Sequence, residues 1–461
     1  MNQIKEYIEK HGDRFVEELC SLIRIPSVSS ESEHKTDMFL CAERWRELLV
    51  NAGVDRAEIV STTGNPLVFA EKMVDPAKKT VLVYGHYDVM PVAPLELWHT
   101  DPFEPVVKDG RIWARGADDD KGQSFMQAKA FETMMALGKL PCNVKFLLEG
   151  EEEIGSPALK QWLKDPKNKE LLKADIILVS DTDMVSPDVP SITTGLRGLV
   201  KFEMRVTGPD HDLHSGDFGG TVSNPVNVLS WMIGTVLDGD GHITIPGFYD
   251  DVLVCSPEER ELINRAPHSD EEYKRSVGVD VLHGEKGYTT LERIGIRPTF
   301  DVCGIQGGYS GEGFKTIIPS VAWAKLSFRL VANQNPERVA RVVEEYFRSI
   351  APESVKLEFI YYEKGMPYIC PIDLPAYKAA ERAFMDTYGM QPIPAHSGCS
   401  ISIVSDFEQE LGLKSILLGF GLGADNIHAP NENYRLDRFF KGIETAVAFF
   451  QHYAEVLDGT D

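Results

Sequence analysis

At 461 residues the chain exceeds the size at which one hydrophobic core usually suffices, so two domains are expected. Hydrophobic residues at 43% and charged residues at 26% are those of a folded globular protein, while a formal charge of -24 argues against nucleic acid and anionic membranes as partners. Seven cysteines, odd in number and without a C-x-x-C, point to neither a disulfide framework nor a thiolate metal site and suit a reducing compartment. The first residues lack a signal-peptide apolar core and no apolar run is long enough to span a bilayer, so the expected location is the cytoplasm.

Ile4, Tyr7, Ile8, Phe15, Leu19, Leu22 and Ile23 recur at helical spacing until Pro26, and Met38, Trp45, Leu48 and Leu49 mark a second helix stopped by Gly53. Strands are predicted at 67–70 and 80–84, a helix over 121–137 ending before Gly138, and further buried strands at 144–148 and 176–179. Strands alternating with helices imply a largely parallel sheet in an α/β domain. From about Gly198 the pattern becomes strand 199–207, helix 224–237, strand 321–331, helix 336–350 and strand 355–361. That order predicts an inserted α+β domain, ferredoxin-like in outline, with a further insertion over about 238–300 that shows no clear period. Helix 375–388, strand 415–419 and a terminal helix over 435–457 then complete the first domain. The predicted domains are 1–196 with 372–461, and 197–371 between them.

The chemistry gathers at the ends of the first domain's strands, where open α/β sheets bind ligands. Val81-Leu-Val-Tyr-Gly-His-Tyr-Asp88 reads as a buried strand ending in two polar side chains, and strand alternation turns His86 and Asp88 to one side. Asp118, Asp119 and Asp120 occupy a Gly-bounded loop before a helix. Glu149 and Glu151 to Glu153 follow the strand at 144–148, where four carboxylates within five residues repel unless cations or protons compensate them. Asp181 and Asp183 end the next strand, and Asn426-Ile-His-Ala-Pro-Asn-Glu432 brings a second His. Four loops carrying acids or His, with no thiolate, suit a pair of zinc or manganese ions doing hydrolysis. No Gly-x-Ser-x-Gly elbow or catalytic Cys setting is present, which argues against a covalent route.

His86-Tyr-Asp88, Gly116-Ala-Asp-Asp-Asp-Lys-Gly122, Glu151-Glu-Glu-Ile-Gly-Ser156, Asp181 and His428-Ala-Pro-Asn-Glu432 resemble, in order and context, the motifs of the co-catalytic zinc peptidases. That family includes carnosinases, non-specific dipeptidases, glutamate carboxypeptidases, aminoacylases and succinyl-diaminopimelate desuccinylases, and the resemblance covers nearly the whole chain. It implies that His86 and Asp181 hold one metal, Glu153 and His428 the other, and Asp119 bridges them. Asp88 is implied to orient His86, and Glu152 to be the general base. Aligning on Lys121-Gly122 selects Asp119, with the following bond in the family's rare cis form, and leaves Asp118 as an extra acid. Aligning on Ile154-Gly155-Ser156 selects Glu152 and Glu153 and leaves out Glu151. Asp183 is a weaker competitor for Asp181.

The middle region adds Asp212-Leu-His-Ser-Gly-Asp-Phe-Gly-Gly220, which resembles the lid segment of the family's dipeptidases, where a His from one subunit reaches its partner's active site. By that resemblance His214 acts across a homodimer and can stabilise the developing oxyanion, and Thr316, Arg329 and Ser400 contact substrate, Arg329 being suited to a peptide's terminal carboxylate. The implied function is hydrolysis of dipeptides by a water activated between two divalent ions, zinc first, with manganese or cobalt as alternatives. An Asp at position 181 favours the peptidases over the N-acyl amino acid deacylases of the same family, which are the alternative, as is a catalytically silent peptide-binding protein.

Overall fold

The computed structural model describes residues 2–456. These divide into two compact units: one formed by residues 2–194, 370–395 and 403–456, the other by Gly195–Ile369 together with His396–Ser402. The chain therefore passes from one unit to the other four times. The segment His396–Ser402, assigned from sequence to the first domain, belongs with the second unit. Residue 457 of the predicted terminal helix lies outside the described residues; the helix itself runs Leu436–Glu455.

The fold is α/β, with a mostly parallel main sheet and a separate antiparallel sheet. In the first unit the strand Thr80–His86 lies centrally, parallel to Asn143–Glu149 on one side and to Ile176–Val179 on the other. Ser415–Leu417 extends the parallel set beyond Ile176–Val179. Leu67–Lys72 and Arg56–Val60 add an antiparallel edge. The central strands are buried on both faces, as their continuous apolar runs require. Beside them the helix Lys121–Ala136 is buried along almost its whole length. Lys121 is accommodated there because its Nζ donates to the carbonyls of Leu22 (3.0 Å) and Ile25 (2.8 Å) at the end of the helix Asn2–Ile23. Among the described residues no helix is long and apolar enough to cross a membrane.

The second unit runs strand, helix, two strands, helix, strand: Gly198–Thr207, Pro225–Gly234, Thr299–Gly307, Val321–Leu330, Pro336–Ile350 and Lys356–Gly365. The four long strands form one antiparallel sheet, with Gly198–Thr207 and Val321–Leu330 at the centre. Phe202, Phe328, Leu229, Val343 and Phe347 fill the core between this sheet and the two helices. The aperiodic stretch before Thr299 holds three short helices, Pro257–Ile263, Asp270–Val277 and Thr290–Gly295. The strand Thr299–Gly307 escapes the sequence pattern because it is an exposed edge with an irregularity between Val302 and Gly304.

Candidate metal centre

The strand Thr80–His86 delivers His86 to the C-terminal edge of the sheet with no solvent exposure. Its Nδ1 lies 3.0 Å from the Asp88 carbonyl oxygen, so a proton donated there leaves Nε2 with its lone pair outward. That Nε2 has no hydrogen-bond partner although it is buried. It stands 3.1 Å from Asp119 Oδ1 and 3.9 Å from Asp181 Oδ2. On the far side of Asp119, His428 Nε2 lies 2.9 Å from Asp119 Oδ2 and 3.1 Å from Glu153 Oε2. The two oxygens of one carboxylate thus face two different imidazoles. His86, Asp119 and Asp181 form one group, and Asp119, Glu153 and His428 a second, each with its ligand atoms within 4.8 Å of one another. Nitrogen and oxygen ligands about 2.0–2.2 Å from a tetrahedral ion lie about 3.3–3.6 Å apart, so both groups have the dimensions of a cation site.

The surrounding charge supports this fit. Burial, reinforced by Asp120, pushes Asp181 well above the usual carboxylate range. Burial likewise raises Glu153 to about 7, with Asp119 adding to it. Burial raises Glu152 too; His86 opposes the shift, and Glu153 and Asp119 add to it. The His428 imidazole moves the other way, up to about 10, because it hydrogen-bonds Asp119 and Glu153. Such groups need positive charge among them.

Local structure explains why neighbouring acids differ. Asp88 spans two jobs: besides its contact with His86, its carboxylate accepts from the backbone N–H groups of Glu152 and Glu153, each at 3.1 Å, and so fixes the turn Glu152–Ile154. Glu151 turns away and accepts from Asn65 N (2.8 Å) and Ala158 N (3.0 Å). Asp118 accepts from Gln123 Nε2 at 2.9 Å, and Asp120 accepts from His86 N at 3.1 Å and from the Ser124 hydroxyl. The Asp119–Asp120 peptide bond is cis. Asp183 stands in neither group.

Sequence reasoning passed over Glu432. It is fully buried, and its carboxylate accepts from Arg115 Nη1 (2.7 Å), Gly116 N (2.9 Å), Asp118 N (3.0 Å) and Asp119 N (3.2 Å), shaping the loop that carries Asp119. The signal was present in the His428-to-Glu432 motif, which ties the two loops together. His428 itself sits at φ 61 on a turn flanked by Asn426 (φ 57) and Asn431 (φ 64), a backbone few residues other than glycine and asparagine adopt readily.

The remaining candidates lie in the second unit and form two pairs. Arg329 Nη1 donates to Ser400 Oγ at 2.8 Å. His214 ends a two-residue strand paired with Ile317–Ile318, and Ser215 N donates to the Thr316 carbonyl at 2.9 Å. The His214 side chain is 60% exposed; its Nδ1 accepts from Gly216 N at 3.0 Å, which leaves Nε2 turned outward.

Residues 82–452 match the model of the peptidase family M20/M25/M40. The chain is 34% identical to the Cys-Gly metallodipeptidase dug1 of Schizosaccharomyces pombe, over 99% of both chains. Among solved structures it is similar to the M20 family metallo-carboxypeptidase Sso-CP2 of Sulfolobus solfataricus, with a TM-score of 0.87 and 34% identity over 96% of this chain and 99% of the other. Human carnosine dipeptidase 1 gives a TM-score of 0.84 at 31% identity, over 99% of each.

Proposed function

Since the chain belongs to the peptidase family M20/M25/M40, and is a peptide hydrolase, we propose that it is a metallo-dipeptidase that cleaves free dipeptides with Glu152 as general base. The observation that carries the reading is the Asp119 carboxylate, whose two oxygens face His86 in one group and His428 in the other. Asp181, Glu153, His86 and His428 complete the two ligand sets. Three ligand carboxylates plus Glu152 make four negative charges, which two divalent cations balance. When bound, such a pair lowers the pKa of a shared water and polarises a carbonyl.

The chain's own residues do the rest. His86 donates from Nδ1 to the Asp88 carbonyl, and so keeps Nε2 unprotonated for coordination. Asp88 holds the turn of Glu152 and Glu153 through two backbone N–H groups, which fixes the base relative to the ligand. Glu152 takes a proton from the attacking water and returns it to the leaving amine, so that the amide C–N bond breaks as the new C–O bond forms. Arg329 receives the substrate's terminal carboxylate beside Ser400, with Thr316 as a further contact. His214 donates to the developing oxyanion of the partner subunit's site in a homodimer. Zinc suits the His and carboxylate donors, with manganese or cobalt as alternatives.

The test is a hydrolysis panel on metal-loaded protein, setting free dipeptides against N-acetyl and N-succinyl amino acids. Free dipeptides should be cleaved far faster, and chelation should abolish the activity. Preferential release of acetate or succinate would favour a deacylase instead. No hydrolysis of any substrate by protein carrying two ions would leave only peptide binding.

A further inference from the structure

The second unit contains two guanidinium groups that share one support. Arg197 immediately precedes the central strand Gly198–Thr207, and Arg329 stands on the neighbouring strand, paired in register with Leu199. Both reach the same three residues, Gly398 to Ser400. Arg197 N donates to the Cys399 carbonyl at 3.0 Å, Arg197 Nε to the Gly398 carbonyl at 2.9 Å, and Arg329 Nη1 to Ser400 Oγ at 2.8 Å. Gly398 leaves room for this, since a Cβ there would lie 3.0 Å from Arg197 Nη2.

What this cluster lacks is an acid at ion-pair distance. Neither guanidinium forms an ion pair with a carboxylate among the described residues, whereas many of the chain's surface arginines do. The two Nη groups of Arg197, and Nε and Nη2 of Arg329, make no hydrogen bond among the described residues. Two partly buried like charges repel, and burial together with Arg329 brings Arg197 down to about 10, although Cys399 and Asp301 oppose the shift. Unpaired N–H donors on two guanidinium forks held by one short segment suit a planar, bidentate anion.

We infer that Arg197 and Arg329 together form a carboxylate-binding site in which Arg197 is a second, so far unassigned, determinant for peptides with a free C-terminus. That the carboxylate is a substrate's rests on the peptidase reading; that the site takes a carboxylate does not. Gly398 to Ser400 sets the spacing of the two forks, so that one carboxylate receives donors from both.

Cys399 is exposed and lies within the field of Arg197, which allows a test independent of turnover. Its alkylation by anionic iodoacetate and by neutral iodoacetamide is compared by peptide mapping, at low ionic strength. The ratio of the two rates cancels the thiolate fraction and reports the local potential. Removing one nearby positive charge should lower the ratio about three- to tenfold. Arg197→Gln should therefore lower it at Cys399 and leave it unchanged at the exposed Cys303, while Arg197→Lys should keep it. With a free dipeptide as substrate, Arg197→Gln should raise KM at least tenfold with kcat within threefold; with the dipeptide amide KM should move less than twofold, and Arg197→Lys should recover part of the loss. If Arg197→Gln fails to fold, Glu152→Gln protein supplies the measurement, because there the dipeptide should shield Cys399 from iodoacetate far better than its amide does. An unchanged ratio in Arg197→Gln, equal KM increases for dipeptide and amide, or equal shielding by the two would overturn the inference. Absence of dipeptide hydrolysis with the ratio behaving as stated would count against the dipeptidase reading and support the guanidinium pair as a carboxylate site.

Discussion

Glu152 and Glu153 are adjacent, both shifted upward by burial, yet only Glu153 contacts a candidate ligand, His428 at 3.1 Å. Glu152→Gln should reduce kcat by about 10²- to 10⁴-fold with metal content near normal, and Glu153→Gln should lower metal content itself. Activity and elemental analysis measured on the same samples check both, and equal metal loss in the two variants would contradict the assignment. A third acid on the same segment behaves differently. Glu149 is buried, bonded to Tyr84 (2.7 Å) and Ser156 (2.9 Å), and burial raises it to about 8 from 4.5. A carboxyl whose folded pKa is raised binds its proton more tightly in the folded state, so its cost is absent below pH 4.5 and grows until about pH 8. The shift corresponds to a few kcal/mol at most, on the order of 1.4 kcal/mol per unit. In thermal scans of metal-free protein, Glu149→Gln should gain Tm relative to the parent as pH rises from 5 to 8, and a constant difference would refute the cause given. At this scale the residue types alone did not divide the roles; the resemblance did, through the alignment on Lys121-Gly122 and Ile154-Gly155-Ser156. The triplets at 118–120 and 151–153 look alike in one dimension; what separates their members is what each carboxylate meets, backbone N–H groups for Glu151 and Asp120, the Gln123 amide for Asp118 and imidazoles for Asp119 and Glu153.

Among elements, the strand Thr80–His86 was legible from the apolar run Val81–Tyr84 closed by Gly85, and the helix Lys121–Ala136 from its bounds at Gly122 and Gly138, although its burial extends to polar residues such as Gln127 and Lys129. The short strands Val106–Lys108, Arg111–Trp113 and Asn433–Arg435, which form a small sheet of their own, carry no such pattern, since three residues cannot show a period. Nor could the sequence show how tightly the acidic loop seats on its helix. A Cβ at Gly122 would collide with the Ala117 carbonyl oxygen, a backbone atom that no rotamer change can move. Gly122→Ala should therefore displace the loop bearing Asp119 at a cost of about 1–3 kcal/mol. Reduced metal affinity should accompany the lower Tm. A variant with full metal affinity would show that the loop relaxes independently of the helix.

For the whole molecule, the proposal that His214 works across a dimer predicts complementation. Glu152→Gln and His214→Ala homodimers should each be nearly inactive, and a reassorted mixture should regain roughly a quarter of parental activity, because half the dimers are mixed and each has one intact site. Verified reassortment without recovery would place His214 in its own subunit's service. The two-unit organisation was legible from the change of pattern near Gly198. The return of His396–Ser402 to the second unit was not, because seven residues from the end of the strand Ile393–Ser397 to the start of the helix Ser402–Leu411 are too few to show a period of their own.

That return limits how far the second unit can be treated as a module. A graft of residues 195–369 onto a related scaffold, or an exchange of that stretch between homologues, would carry Arg197 and Arg329 but leave behind the Gly398-to-Ser400 segment to which both are bonded. Chimeras cut at 195 and 369 alone should retain the donor's fold in the transplanted sheet yet lose its discrimination between substrates. Those that also exchange 396–402 should inherit both, so the transferable piece of specificity is two pieces of sequence that must travel together.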